Sequence, residues 1–295
     1  MTDQAQRLRD LMEEKSDKRK VSDSLMHSNR ASIIALTSGK GGVGKTIITL
    51  NLAIAMQQEG KKICVIDADI GLSNLDIISG EPMKRTLLDI IHKNLTIEDV
   101  LTPGPEGIYM ISGGSGLNEL SLIKNREHSS KLLFEIQKLQ DQFDYILIDT
   151  GAGISESVTN FIEISDIAII ISTPEPTSIM DAYILIKTMT NLGYKGKYYH
   201  LTNMANDAND WKRTSEKIKT ATNSFLKLKV ENLGYINSSD TVVKAVRHQT
   251  PFIILNSSSN ASKKIKDISK IIINGKIIKE KSGIVERFLK TFRRK

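Results

Sequence analysis

The sequence has one cysteine, one tryptophan and six prolines. A single thiol, Cys64, cannot close an internal disulfide, and no Cys-x-x-Cys pair is present to hold a metal. Cys64 lies in the apolar run KKICVID, which predicts a buried core position and a reducing compartment. No run approaches the ~18–20 apolar residues of a membrane span. The opening stretch MTDQAQRLRDLMEEKSDKRK is charged throughout and has no apolar signal core. These absences predict a chain that is neither exported by a classical signal nor integral to a membrane. The histidines, His27, His92, His128, His200 and His248, show no metal-ligand spacing.

What is present is ordinary globular composition, 40% apolar and 25% charged over 295 residues. That length suits one large α/β domain or two small ones. The net charge of +7 is uneven: residues 261–295 hold twelve Lys/Arg against three Asp/Glu, a local +9, which leaves −2 for the rest. A basic tail points to an anionic partner, either a membrane or a nucleic acid.

Residues 1–29 are polar and read as a short helix followed by a linker. From Ser32 the pattern changes. SIIALTS, KICVID, DYILID, DIAIIIS, KYYHLTN and LGYI are short, β-branched apolar runs. Amphipathic stretches of helical length lie between them, at 45–59, 117–140, 176–191 and 207–224. Apolar strands alternating with helices predict an α/β fold, a doubly wound, mostly parallel twisted sheet with helices on both faces. No repeat at a solenoid period is present. SSSNASK at 257–263 breaks the pattern, and Ser282-Gly283 reads as a hinge before a last short helix. The predicted organisation is an N-terminal segment and linker (1–29), a main domain (30–256) and a C-terminal helical region (257–295) ending in an amphipathic basic helix (282–295).

Gly39-Lys40-Gly41-Gly42-Val43-Gly44-Lys45-Thr46 fits G-x-x-x-x-G-K-[ST], with a strand before it and an amphipathic helix after it. The glycines let backbone N–H groups converge on phosphate oxygens, and the following helix adds its positive end. Lys45 is expected to reach the β/γ-phosphates and the Thr46 hydroxyl to ligate Mg²⁺. The predicted nucleotide-binding set is Gly39, Lys40, Gly41, Gly42, Val43, Gly44, Lys45, Thr46 and Ile47. Carboxylates are needed at neighbouring strand ends, and two runs supply them. KICVID ends at Asp67, with Asp69 two residues on; DYILID ends at Asp149, followed by Thr150-Gly151-Ala152-Gly153. An acid after four apolar residues fits a Walker-B role, holding Mg²⁺ or its water. Gly151 and Gly153 suit a loop that senses the γ-phosphate. A strand-terminal Asp taken alone also serves as a helix cap.

The loop carries a second lysine, Lys40, at the start of KGGVGKT. With DADIGLSNLD and DTGAG it resembles the deviant Walker-A family of MinD and ParA, over about residues 30–256. That resemblance implies an Mg-dependent ATPase whose ATP-bound form is a homodimer sandwiching two nucleotides, with Lys40 completing the partner's site. A solvated loop charge is the plainer reading of Lys40. The family match assigns Asp69 to positioning the attacking water, making Lys40, Lys45 and Asp69 the catalytic set. It gives Asp67 a structural or magnesium-side role, beside Thr46 and Asp149 as metal residues. Asn74 matches a switch residue near the γ-phosphate, with Asp67, Asp149, Gly151 and Gly153. Asn203 matches the asparagine that reads adenine, for which its amide offers a donor and an acceptor; a turn cap is the plainer alternative. The family's usual proline is missing from Gly234-Tyr235-Ile236-Asn237.

Asp3-Gln4-Ala5-Gln6-Arg7-Leu8-Arg9 resembles the DQAxxLR motif of the FlhG (YlxH, FleN) branch, whose members control flagellum number and placement. The motif implies docking to, and stimulation of, the signal-recognition-type GTPase FlhF through Asp3, Gln4, Ala5, Leu8 and Arg9. Flagellar basal-body (C-ring) components are further candidate partners. Independently of the motif, Ala5, Leu8, Leu11 and Met12 fall at helical spacing. A helix this short is marginal in water and would order on binding; a frayed terminus is the alternative.

In the tail, Ile284, Val285, Phe288, Leu289 and Phe292 make one helical stripe, flanked by Arg287, Lys290, Arg293, Arg294 and Lys295. An apolar stripe with basic flanks is the composition of an interfacial membrane helix drawn to anionic lipid. Two copies in a dimer gain avidity without new contacts. The expected location is therefore cytoplasmic, peripheral to the inner face of the cell membrane; a helix packed back on its own core is the alternative. A ParA-type ATPase binding DNA through basic patches is the runner-up, disfavoured by the apolar stripe. A MinD-type division-site ATPase is the other alternative. A lone cysteine excludes the cluster-bearing nitrogenase-iron-protein branch. Ser178, Asp181 and Tyr183 are expected on a dimer-facing or effector surface, although capping also explains Thr177 and Ser178.

Overall fold

The computed structural model describes residues 30–69, 73–114 and 126–275. The apolar runs form one eight-stranded sheet: β1 (Ser32–Ser38), β2 (Ile63–Ala68), β3 (Thr102–Pro103), β4 (Tyr109–Ile111), β5 (Tyr145–Ala152), β6 (Ile167–Ser172), β7 (Lys197–Ala205) and β8 (Val230–Asn237). The order is β3-β4-β2-β5-β1-β6-β7-β8. Every pairing is parallel except the β3–β4 edge pair. The doubly wound fold expected from the sequence is thus the fold observed.

The helices are α1 (Lys45–Gln58), α2 (Leu75–Ser79), α3 (Asp89–His92), α4 (Ile97–Val100), α5 (Arg126–Leu139), α6 (Glu156–Glu163), α7 (Pro176–Leu192), α8 (Ala208–Ala221), α9 (Asp240–Arg247), α10 (Phe252–Leu255) and α11 (Asn260–Asn274). A π turn, Thr222–Leu226, extends α8. Of the helical stretch expected over 117–140, the described part is α5.

Strands covered on both faces must be apolar on both faces, and β1 is buried at every position. Its alternation sends Ile34 and Leu36 to the core beneath α1, and Ile33 to the opposite core against α5. Ala35 joins a third cluster with Leu185, Ile186 and Met189 of α7. Cys64 lies fully buried in the α5-side core, as its apolar setting predicts.

Helix α1 explains the C-terminal boundary. Leu50, Leu52, Ala53, Ile54, Ala55 and Met56 are all completely buried, so this helix is covered all round. Such a helix needs a second layer over its outer side. α11 supplies it, with Ala261, Ile265, Ile268 and Ile272 in the same cluster. The pattern break at 257–263 is a helix start: Ser259 Oγ accepts from Ser262 N at 3.1 Å, and Ser262 Oγ donates to Asn256 O at 2.7 Å. Packing therefore continues through Asn274, past the boundary expected at 256. The N-terminal segment 1–29, with Asp3, Gln4, Ala5, Leu8 and Arg9, lies outside the described residues. So does the 282–295 tail.

Candidate functional site

β1 lies near the sheet centre, between β5 and β6. The loop after it opens at the C-terminal edge, where open α/β sheets hold ligands. Register fixes what faces that loop. Asp149 of β5 pairs with Leu36 of β1 on one side and with Asp67 of β2 on the other. Two carboxylates thus stand side by side at the strand ends, next to Gly39–Thr46.

Gly44 is left-handed, with φ 86°, and precedes the first turn of α1. A Cβ there would stand 2.5 Å from Asn203 Nδ2, so glycine is needed for both backbone and space. Asn203 itself is buried and donates from Nδ2 to Val43 O at 2.8 Å. It bridges β7 to the loop and shapes it. Val43 and Lys45 are buried, while Lys40, Gly41 and Gly42 are exposed. Ile47 lies partly buried against the α1 core.

Asp149 is almost completely buried, at 1% exposure. Its Oδ1 accepts from Thr49 Oγ1 at 3.2 Å, and its Oδ2 has no hydrogen-bond partner. Burial first, then the neighbouring Asp67, push its carboxyl up to about 7, against the opposing pull of Lys45, Thr46 and Thr49. A buried, unpartnered carboxylate oxygen whose acid also bonds the Thr46 hydroxyl is an incomplete arrangement that a hard cation fits.

Asp67 is equally buried but differently used. Its Oδ1 accepts from Asp69 N at 2.9 Å. Its Oδ2 accepts from Ser73 Oγ at 2.7 Å, Asn74 N at 3.2 Å and Leu75 N at 3.3 Å. Asp67 therefore anchors the start of α2 and the Asn74 position, and both its oxygens are already engaged. Burial raises its carboxyl above the usual range despite those donors. Asp69 is half-buried; burial raises its carboxyl and Lys45 opposes that. A Cβ on Gly151 would lie 3.2 Å from Asp69 Oδ1, so the β5 end packs closely under this acid. Gly153, at φ 87°, donates from N to Ser38 O at 2.9 Å, tying the β5 end to the loop entrance.

Lys40 Nζ pairs with Glu175 Oε2 of its own chain at 2.8 Å, both groups being exposed. The bond and charge of Glu175 raise the lysine above its ordinary range. Sequence reasoning missed Glu175, Thr49 and Ser73. Thr49 carried a signal, since it follows Lys45 by four residues on one helical face. Ser178, expected on a surface, is 2% exposed and accepts from Thr173 N at 3.0 Å, closing the start of α7 from inside. Asp181 lies with its backbone against Gly39, and Tyr183 is half-buried on the same helix. Asp207 caps α8, accepting from Asn209 N at 2.8 Å and Asp210 N at 2.9 Å. His200 is buried against Ser172 Oγ at 2.9 Å, and burial lowers its imidazole to about 4.

Comparison with known proteins agrees with this geometry. Residues 31–200 match a family described as an AAA domain. The chain is similar to the "Antiactivator FleN" of Pseudomonas aeruginosa, 32% identical over 87% of this chain and 91% of that one. It is also similar to the "Flagellum site-determining protein YlxH" of Helicobacter pylori, 34% identical over 84% of this chain and 83% of that one. Among solved structures, the MinC:MinD cell division protein complex of Aquifex aeolicus matches with a TM-score of 0.69 at 30% identity, covering 86% of this chain and all of that one. With motifs, sheet order and relatives in agreement, the chain belongs to the MinD/ParA family of P-loop ATPases.

Proposed function

We propose that this chain is an Mg-dependent ATPase that alternates between an ADP-bound monomer and an ATP-bound, membrane-associated homodimer, and so controls flagellum number and placement. The observation that carries the chemical part is the buried Asp149 carboxylate, with one oxygen unpartnered beside the phosphate loop. The flagellar part rests on the similarity to FleN and YlxH. Backbone amides of Gly39–Ile47 and the Lys45 ammonium hold the triphosphate. Thr46 and Asp149 are the residues that would hold Mg²⁺, with Asp67 organising the switch segment behind them. Bound there, Mg²⁺ supplies neutralising charge to the phosphates.

Catalysis in this reading is positioning and charge stabilisation, with no covalent intermediate. Asp69 orients the attacking water, and Lys40 leaves Glu175 to reach the partner's nucleotide. Asn74, Gly151 and Gly153 register the γ-phosphate. Asn203 supports the loop and contributes to the adenine site. Turnover is slow until the dimer forms. The 282–295 helix, through Ile284, Val285, Phe288, Leu289 and Phe292 with Arg287 and Lys290, binds anionic lipid weakly alone and firmly in pairs. The N-terminal DQAQRLR docks to an FlhF-like GTPase, and basal-body components receive the switched surface. Phosphate release from Mg²⁺·ATP, with and without anionic liposomes, tests this reading. Turnover that rises with lipid supports it; no turnover under either condition leaves a nucleotide-gated tether and overturns the enzymatic reading.

A further inference from the structure

The edge of the sheet opposite the phosphate loop holds a cleft of about 660 Å³ that the ATPase chemistry does not use. Its walls come from the α1–β2 turn (Lys61, Lys62), α4 (Glu98), β4 (Tyr109) and the α5–β5 turn (Gln142, Phe143). Tyr109 is 42% exposed and meets Phe143 edge to face, with ring centroids 5.6 Å apart. Gln142 Nε2 donates to Glu98 Oε1 at 3.1 Å, joining two of those walls. An exposed aromatic in a cleft of this size is a preformed recognition surface.

The place where the chain enters the fold indicates the occupant. Ala31 N donates to Gln140 O at 2.7 Å, and Ser32 N donates to Asp144 O at 2.9 Å. The first described residues therefore run directly beside the turn that contributes Gln142 and Phe143. The described chain thus enters the fold next to this cleft. The 1–29 segment carries the stripe Ala5, Leu8, Leu11 and Met12, an apolar face suited to an aromatic-lined groove.

We infer that the cleft receives the chain's own N-terminal helix, residues 3–12, in cis. The polar residues between Met12 and Arg30 give a flexible reach of about 23 Å by random-chain scaling, which spans a neighbouring groove. Tethering at that distance supplies an effective concentration in the millimolar range, so even a weak contact is occupied. Charge selects this end of the chain over the other. Lys61 and Lys62 rim the cleft. Residues 3–12 balance Asp3 and Asp10 against Arg7 and Arg9, whereas the 282–295 segment sets Arg287, Lys290, Arg293, Arg294 and Lys295 against Glu286 alone, a cationic excess that the two lysines repel. Docking in cis shelves Ala5 and Leu8, so a partner must compete for them. That consequence rests on the partner reading given above, whereas the docking itself does not.

The test is intrachain cross-linking of the full chain with a short bismaleimide, using Gln4→Cys with Gln142→Cys. Cys64 remains in place, because burial shields it and pushes its thiol well up. The expected result is a concentration-independent intrachain product that falls about tenfold when Leu8→Asp breaks the stripe. Circular dichroism of the Leu8→Asp chain verifies that the fold is intact. A yield unaffected by Leu8→Asp would mean tether proximity alone and overturns the inference. So does a product only between chains. A cross-link from Thr291→Cys to Gln142→Cys, in place of the N-terminal one, assigns the cleft to the tail and overturns it equally. Unchanged phosphate release in the cross-linked chain separates this result from the ATPase reading.

Discussion

The two edges of the same parallel sheet are built from different materials. At the C-terminal edge, β2 and β5 end in buried acids, the loop turns through left-handed glycines, and Asp149 keeps an oxygen without a partner. At the N-terminal edge, backbone bonds such as Asp144 N to Lys62 O at 2.9 Å close the turns, and the exposed groups are aromatic or long and flexible. One edge keeps a buried carboxylate oxygen without a hydrogen-bond partner; the other exposes an aromatic ring in a cleft. The difference teaches that in this fold the strand ends set function, while the strand interiors set only stability.

The largest expected effect comes from removing the layer that supports both edges. Ending the chain at Asn256 strips α11 from the fully buried α1, and urea denaturation should then show no cooperative transition. Ile268→Ala in the intact chain should cost about 2–5 kcal/mol by the same measurement. Next, Lys45→Ala should weaken nucleotide binding by about 2–4 kcal/mol in calorimetric titration, because it removes the one buried cation of the loop. Gln142→Ala, at the opposite edge, should leave that affinity unchanged.

Asp149 gives a pH test. Its folded carboxyl is raised from near 4 to about 7, so the nucleotide-free protein binds more protons than the unfolded chain across that interval. Stability is therefore fully present below about pH 4 and is lost as pH rises through about 7, on the order of 2–4 kcal/mol. Asp149→Asn should flatten that slope, and a slope unchanged by the substitution would show that other groups cause it. The smallest effect belongs to Glu175→Gln. Freeing an exposed lysine should shift ATP-dependent association by less than about fivefold, read by light scattering.

Legibility followed burial. β1, β2, β5, β6 and β7 were readable because strands covered on both faces are continuously apolar. The short strands β3 and β4 were not, since two and three residues carry no period. The helical character expected after 257 is found in α11, but its packing on α1 was not legible, because Ser257-Ser258-Ser259 reads as a break while serving as a helix entrance. The phosphate loop and both strand-end acids were legible as motifs. The supporting contacts were not. Ser73, Thr49 and Glu175 act through tertiary neighbours 6, 100 and 135 residues away, and spacing along the chain does not reveal such distances.

We propose that nucleotide state sets the association of this chain through Lys40. Light scattering of Asp69→Ala with Mg²⁺·ATP and with Mg²⁺·ADP tests it most directly. The account predicts a dimer mass with ATP and a monomer mass with ADP. One mass in both states would contradict the shared-site arrangement and leave a nucleotide-binding protein without a switch.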